Sequence, residues 1–235
     1  MARFKDLAIA VIEPQYEINL GYIARVMGNF GLRKMYLVNP KVDLDKAKVF
    51  ASHASNIIDE AFKMDYKSLI KNFDLIVGTT ALESKKPSKL KRKALSLEEF
   101  SKDFPNLPSN LALILGRDTT GLTNEELEKC DLILHIHTKT AYESLNISHA
   151  LAIILYELSK LKGKRIKSTA SRKEKEVLIN WALNLAKASN FPEYKLPFLK
   201  KSLKNLISKA TNFREVSLLT GLFRKALISI KKEKL

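Results

Sequence analysis

The sequence predicts a doubly wound α/β domain on a parallel sheet, followed by a small all-α domain. Three observations carry that reading. Short, almost continuously apolar runs alternate with helix-like stretches over the first 140 residues. Beyond residue 144 the pattern turns to amphipathic helices, and nearly all the excess positive charge lies in the last third of the chain.

The apolar runs fall at 7–12, 35–38, 75–77, 111–115 and 132–136. Strands covered on both faces read as continuous hydrophobic runs rather than alternating ones. Helical stretches at 20–30, 44–51, 66–73 and 124–129 lie between them, and strands joined through helical crossovers pair in parallel. In such sheets ligands bind outside the carboxyl ends of the strands, so chemistry is expected in the loops after Val77, Leu115 and Ile136.

From Ser144 a helix runs to near Leu161, with Leu145, Ala152, Leu155 and Leu158 among its apolar positions, and stops before Gly163. Residues 160–175 are basic and poor in large apolar groups, which reads as a linker between a domain at 1–159 and an extension at 176–235. Three amphipathic helices follow. The first opens on a capping box, Ser171 with Glu174, and carries Val177, Leu178, Trp181 and Leu185. The second follows Pro197 with Leu199, Leu203, Leu206 and Ile207; the third opens at Asn212 with Glu215 and carries Val216, Leu219, Leu222, Phe223 and Leu227.

At 235 residues, 46% hydrophobic and 28% charged, the chain has globular values that exclude wholesale disorder, collagen-like repeats and a small disulfide framework. The single Cys130 excludes an intrachain disulfide, and no apolar run reaches the roughly 18 residues that span a bilayer, so a reducing cytoplasm is the expected location and no membrane partner is expected. The net charge of +16 is unevenly placed: residues 1–159 hold 21 Lys and Arg against 20 Asp and Glu, residues 160–235 hold 20 against 5. That asymmetry points to a polyanion, because Lys and Arg that neutralise phosphates release condensed counterions. A Lys-rich surface of the hyperthermophile kind is the rival explanation, and it also fits a chain whose only glutamine is Gln15.

Three segments are richer in Gly, Asn, Ser and charge than packing requires. The first runs from Glu13 to Gly31, with Asn19 at a helix start and Arg25 inside an apolar stretch where an unpaired guanidinium would be costly. Asn19 as an N-cap and Gly31 as a C-cap are the purely structural explanations, while the fork of Arg25 suits a phosphate or ribose. The second is Leu115-Gly116-Arg117-Asp118-Thr119-Thr120-Gly121-Leu122, a loop with glycine at each end that lets backbone N–H groups approach a ligand. It is neither a Walker A loop nor a GxGxxG fingerprint, and Asp118 fits a turn position equally well. The third is Tyr142 to Ala150, where Ser144 fits an N-cap and Asn146, in the first turn, is a poor helix former without a packing reason. His135, His137 and His149 have no Cys or carboxylate at ligand spacing, so no metal is expected. Cys130 stands beside Asp131, an acid that raises rather than lowers a thiol pKa, and so is no obvious nucleophile.

In this order the three segments resemble the motifs of the SpoU/TrmH class of SPOUT RNA 2'-O-ribose methyltransferases. Asn19-x-Gly21-x-Ile23-Ala24-Arg25-Val26-Met27 with Asn29-Phe30-Gly31 is similar to motif 1, Leu115-Gly116-Arg117-Asp118 with Gly121-Leu122 to motif 2, and Ser144-Leu145-Asn146-Ile147-Ser148-His149-Ala150 to motif 3. The continuation through Asn124-Glu125-Glu126-Leu127 to Cys130-Asp131, with the basic helical extension, looks most like the TrmJ branch, which modifies position 32 of the tRNA anticodon loop.

The resemblance implies a trefoil knot at the C-terminal part of the α/β domain, a homodimer whose second subunit completes the site, and S-adenosylmethionine held by Thr79, Thr80, Ala81, Gly116, Ile136, Ser144, Leu145 and Asn146. It implies methyl transfer to a ribose 2'-hydroxyl of tRNA, with Arg25 acting on the hydroxyl, Asn19 orienting Arg25 or the ribose, Ser144 and Asn146 organising the pocket, and Asp118 standing where the family has Glu. The rival functions are methylation of ribosomal RNA and a non-catalytic RNA-binding protein of the same fold. RNA contacts are expected from Lys85, Lys86, Lys89, Lys91, Arg92 and Lys93, which follow the Thr79 loop, and from Lys164, Arg165, Lys167 and Arg172 near the linker.

Overall fold

The computed structural model describes residues 7–81, 94–103, 108, 110–138, 140, 142–161, 169–208 and 212–233. The chain alternates as expected: β1 (Ala8–Ile12), α1 (Glu17–Asn29), β2 (Met35–Val38), α2 (Leu44–Ala51), α3 (Ser55–Asp59), β3 (Phe62–Met64), α4 (Tyr66–Asn72), β4 (Leu75–Thr80), β5 (Leu95–Ser96), α5 (Leu97–Asp103), β6 (Leu111–Leu115), α6 (Asn124–Lys129) and β7 (Leu132–His135). The seven strands form one sheet in the order β3-β2-β1-β6-β4-β7-β5. Every pairing between them is parallel.

Side chains alternate across a strand, and each face of this sheet has its own core. Ile9, Val11, Leu37, Leu75, Val77, Leu113 and Leu134 pack with α1, α2, α3 and the later helix α7 (Ile147–Lys160). Ala8, Ala10, Ile12, Ile76, Ala112 and Ile114 face Leu69 of α4, Leu122 and Cys130. Four elements lack a sequence signal. The strands β3 and β5 have three and two residues, too short for any periodicity. Phe62 of β3 stays half exposed, stacked on Tyr36 of β2 with ring centroids 5.1 Å apart. The helices α3 and α5 are five and seven residues long.

Two helix starts differ from expectation. Helix α1 begins at Glu17, not Leu20, with Tyr16 as N-cap and no side-chain cap from its own segment. Helix α7 begins at Ile147 with Asn146, rather than Ser144, as N-cap; the Asn146 side chain accepts from the Ser148 amide. At the other end of α1 the Gly31 expectation is met. Gly31 has φ +72°, its N–H bonds Gly28 and that of Leu32 bonds Met27, the paired bonds that close a helix on a left-handed residue.

Beyond α7 come α8 (Arg172–Ala188), α9 (Leu196–Ile207) and α10 (Phe213–Glu233). Ala170, Leu178, Ile179, Ile207 and Val216 form their shared apolar cluster. Ser171 and Glu174 make the capping box read from the sequence, so α8 starts inside the stretch read as linker. Its first turn is fastened to the amino end of the sheet. The Arg172 amide donates to Asp74 (3.0 Å), its Nε to the Phe73 carbonyl (2.8 Å), and its guanidinium pairs with Asp131. Lys175, buried beneath, donates to the Asp74 carbonyl (3.1 Å). No described helix is long and apolar enough to cross a membrane.

Candidate active site

Because β6, β4 and β7 are neighbours, the loops at their carboxyl ends must share one rim. They enclose a cavity of about 890 Å³ lined by Thr79 and Thr80 at the end of β4 and Ala81 after it, by Gly116 to Leu122 after β6, by Ile136 after β7 and by Ser144 and Leu145 before α7. That volume falls in the range of small-molecule sites. Apolar walls from Leu115, Ile136, Leu145 and Ile147 stand beside backbone and hydroxyl groups at Gly116, Thr79 and Thr80, a lining that fits a nucleoside-bearing cofactor such as S-adenosylmethionine. Two steric facts keep the loop closed. A Cβ on Gly116 would lie 2.2 Å from the carbonyl carbon of Gly121 and 2.3 Å from the Leu122 nitrogen, and Gly121 itself has φ +68°.

The three motif segments are tied by side chains. Asn146 Nδ2 donates to Asn19 Oδ1 (2.9 Å), and Asn19 Nδ2 donates to Asp118 Oδ1 (2.7 Å). The other carboxylate oxygen of Asp118 accepts the backbone N–H groups of Gln15 (2.7 Å) and Tyr16 (3.3 Å). Asp118 thus supplies, from the loop after the adjacent strand β6, the acceptor at the start of α1 that the local sequence lacks, where a negative charge also suits the helix dipole. The orientation of both amides is fixed by the backbone. Ser148 N–H forces Asn146 to present its oxygen to α7, which leaves its nitrogen for Asn19 and the Asn19 nitrogen for Asp118.

A second network, not singled out in the sequence, holds the loop itself. Arg117 donates to both oxygens of Glu126 (2.9 and 3.0 Å), to Glu13 (3.0 Å) and to the Gly121 carbonyl (3.3 Å). Its hydrogen bonds to Glu126 and Glu13 push the guanidinium pKa up, although burial works against its charge. Burial alone would push the Glu126 carboxyl up; the bonds from Arg117 and from the Thr123 amide outweigh it and bring the group below the ordinary carboxylate value of 4.5. The signal available beforehand was the three-residue spacing of a capping box, Thr123 with Glu126, so close to a Gly-bounded loop.

Three expected roles are placed differently. Arg25 is exposed on α1, makes no hydrogen bond or ion pair among the described residues and does not line the cavity, so the burial cost inferred for it does not arise within one chain. It shares α1 with exposed Ile18 and Tyr22, and α7, which packs on α1, carries exposed Ile153 and Tyr156. Asn146 and Asn19 do not line the cavity; their chain of bonds meets its lining at Asp118. Arg172, expected at an RNA surface, is instead committed to Asp131, Phe73 and Asp74, because α8 docks where those groups need a cation. Lys85, Lys86, Lys89, Lys91, Arg92, Lys93, Lys164, Arg165 and Lys167 lie outside the described residues. Among those described, no group of three or more His, Cys, Asp or Glu is placed to hold a metal ion. A wall the sequence did not foresee comes from α9: Pro197, Lys200, Lys201 and Lys204 line the same cavity.

A parallel sheet with one nucleoside-sized cavity at three adjacent strand ends, braced by motif side chains, defines a cofactor-dependent α/β enzyme. The family model described as the SpoU rRNA methylase family matches residues 6–156, and the chain belongs to that family. It is 32% identical over 212 residues to the tRNA (cytidine-2'-O-)-methyltransferase TrmJ of Methanocaldococcus jannaschii, covering 87% of this chain and 92% of that one. It is 33% identical over 169 residues to the enzyme of the same name from Sulfolobus acidocaldarius, 70% of each chain. The crystal structure of TrmJ from Z. mobilis ZM4 shares the fold with a TM-score of 0.65 at 23% identity, over 93% of this chain and 97% of that one.

Proposed function

We propose that this chain is an S-adenosylmethionine-dependent methyltransferase acting on a ribose 2'-hydroxyl of tRNA, at position 32 of the anticodon loop. The observation that carries the reading is the Asn146–Asn19–Asp118 relay, which joins all three motifs around a cavity of cofactor size. The relatives at 32 and 33% identity are named tRNA (cytidine-2'-O-)-methyltransferases, which supports the reaction and the tRNA substrate. The finer features belong to the same reading: a trefoil knot formed by the segments that meet at the cavity, a cytoplasmic location, and a separate all-α RNA-binding domain at 176–235 behind a basic linker. The basic residues at 85–93 and Lys164, Arg165 and Lys167 would grip the tRNA backbone.

Thr79, Thr80, Ala81, Gly116, Ile136, Ser144 and Leu145 would hold the cofactor. Bound there, S-adenosylmethionine supplies a sulfonium methyl to in-line attack by the ribose oxygen, with the C–S electron pair leaving on sulfur. The protein's part is to orient the hydroxyl and to stabilise the alkoxide as its proton departs to a phosphate oxygen or water. A guanidinium is not deprotonated in proteins, so Arg25 serves as a charged fork rather than as a base. Near-full turnover by Arg25→Lys would overturn that role. Its exposure on the α1 and α7 face, among Ile18, Tyr22, Ile153 and Tyr156, supports a homodimer in which Arg25 reaches the cavity of the partner subunit.

The test is to incubate the purified protein with labelled S-adenosylmethionine and, in parallel, unmodified tRNA or ribosomal RNA, and to map ribose methylation by mass spectrometry. Label at one anticodon-loop 2'-oxygen is the expected result. Label on ribosomal RNA instead, or cofactor binding without transfer to tRNA, would overturn the assignment.

A further inference from the structure

We infer that Lys200 and Lys201 of α9 bind the RNA phosphates flanking the methylated ribose, at the rim of the cofactor cavity of their own chain. The inference rests on the function proposed above and assigns a site-level contact to helices that the sequence suggests only as a remote basic tail. Helix α8 acts as a strut. Its first turn is pinned by Arg172 and Lys175 to the amino ends of β4 and β7. Its 17 residues span about 25 Å, more than the roughly 20 Å of the six-residue β4. The chain therefore leaves α8 near the opposite, carboxyl end of the sheet, where α9 closes one wall of the cavity.

The wall is cationic. Lys200 and Lys201 form no ion pair among the described residues, and both line the cavity. An anion at the rim offsets their charge. A nucleotide that places its 2'-oxygen in the cavity carries a phosphate on the adjacent 3'-oxygen and another on its 5' side, and so brings phosphate to this rim whatever its base. The carboxylate of the cofactor is a poorer match, since its own α-ammonium accompanies it and Lys200 stands exposed at the opening.

The experiment compares the unaltered protein with Lys200→Ala/Lys201→Ala and with Lys200→Arg/Lys201→Arg on unmodified tRNA over a range of salt. The expected result for the alanine pair is a rise of about tenfold in the KM for tRNA at physiological salt, and a loss of about 1.4 from the slope of log(kcat/KM) against log salt, at about 0.7 per single-stranded phosphate contact. The arginine pair restores both. Cofactor affinity measured without tRNA is unchanged. An unaltered KM and slope would overturn the inference, as would a weaker cofactor affinity without tRNA, which would assign the lysines to the carboxylate. No transfer by the unaltered protein would refute the proposed function itself, whereas transfer that is indifferent to the alanine pair would sink the lysine contact alone.

Discussion

Replacing Asp118 with Asn keeps the size of the side chain and removes one acceptor, and the relay has no arrangement that absorbs the loss. If the new amide keeps its oxygen toward Asn19, its NH2 faces the Gln15 and Tyr16 amides, donor against donor. If it flips, its NH2 faces the Asn19 NH2. Asn19 can flip in turn only by presenting its NH2 to that of Asn146, and Asn146 cannot follow, because its oxygen caps α7 through the Ser148 amide and hydroxyl. Donors therefore run in one direction from α7 to α1 and must end on a group that accepts with both oxygens. A hydrogen bond to a charged group is worth about 1.5–3 kcal/mol when shielded. This carboxylate is partly exposed, so about 1.5 kcal/mol is expected, or about 3–6 °C in Tm for a chain of this size.

The catalytic cost is larger than the stability cost. Asp118 touches no reacting atom in this reading; it positions Asn19 and the loop around Gly116, and a displacement near 1 Å at such groups costs about a hundredfold in rate. Asp118→Asn is expected to lower single-turnover methyl transfer about 10- to 100-fold while leaving tRNA affinity within twofold. Asp118→Glu retains both acceptor oxygens and is expected to recover most of the Tm. Wild-type Tm and rate in Asp118→Asn would refute the one-way relay; a lowered Tm with an unchanged rate would confine it to folding.

Gly116→Ala and Glu126→Gln probe the loop, with Gly31→Ala as a control outside it. Gly116→Ala places a methyl 2.2 Å from backbone that cannot yield, so calorimetric cofactor affinity is expected to fall more than tenfold; Gly31→Ala, at φ +72° with open space around it, is expected to cost about 1 kcal/mol of stability and leave binding intact. Since Glu126 titrates lower in the folded chain than in the unfolded one, its contribution is complete above pH 4.5 and is lost as pH falls through the lower folded value. The Tm difference between the unaltered chain and Glu126→Gln should be full at pH 7 and vanish in strong acid; a gap independent of pH would contradict the Arg117 pairing.

How far the sequence foretold this molecule depends on how local each cause is. The five long strands announce themselves because burial on both faces leaves no room for polar residues, and Gly31, Ser171 and Asn212 mark helix ends because a cap is settled within four residues. Asn19 and Ser144 were plausible caps by the same rule, yet the acceptor at α1 is Asp118, some hundred positions away, and Asn146 takes the cap at α7 because it alone also reaches Asn19. The composition of the α9 face is plain in the sequence, but its place beside Gly116 and Ser144 follows from Arg172 and Lys175 fixing where α8 begins and from the length of α8, which is tertiary information. The motif residues were recognisable as a set; which of them bind, which position and which serve the fold is decided by the direction of hydrogen bonds, and a sequence carries no direction.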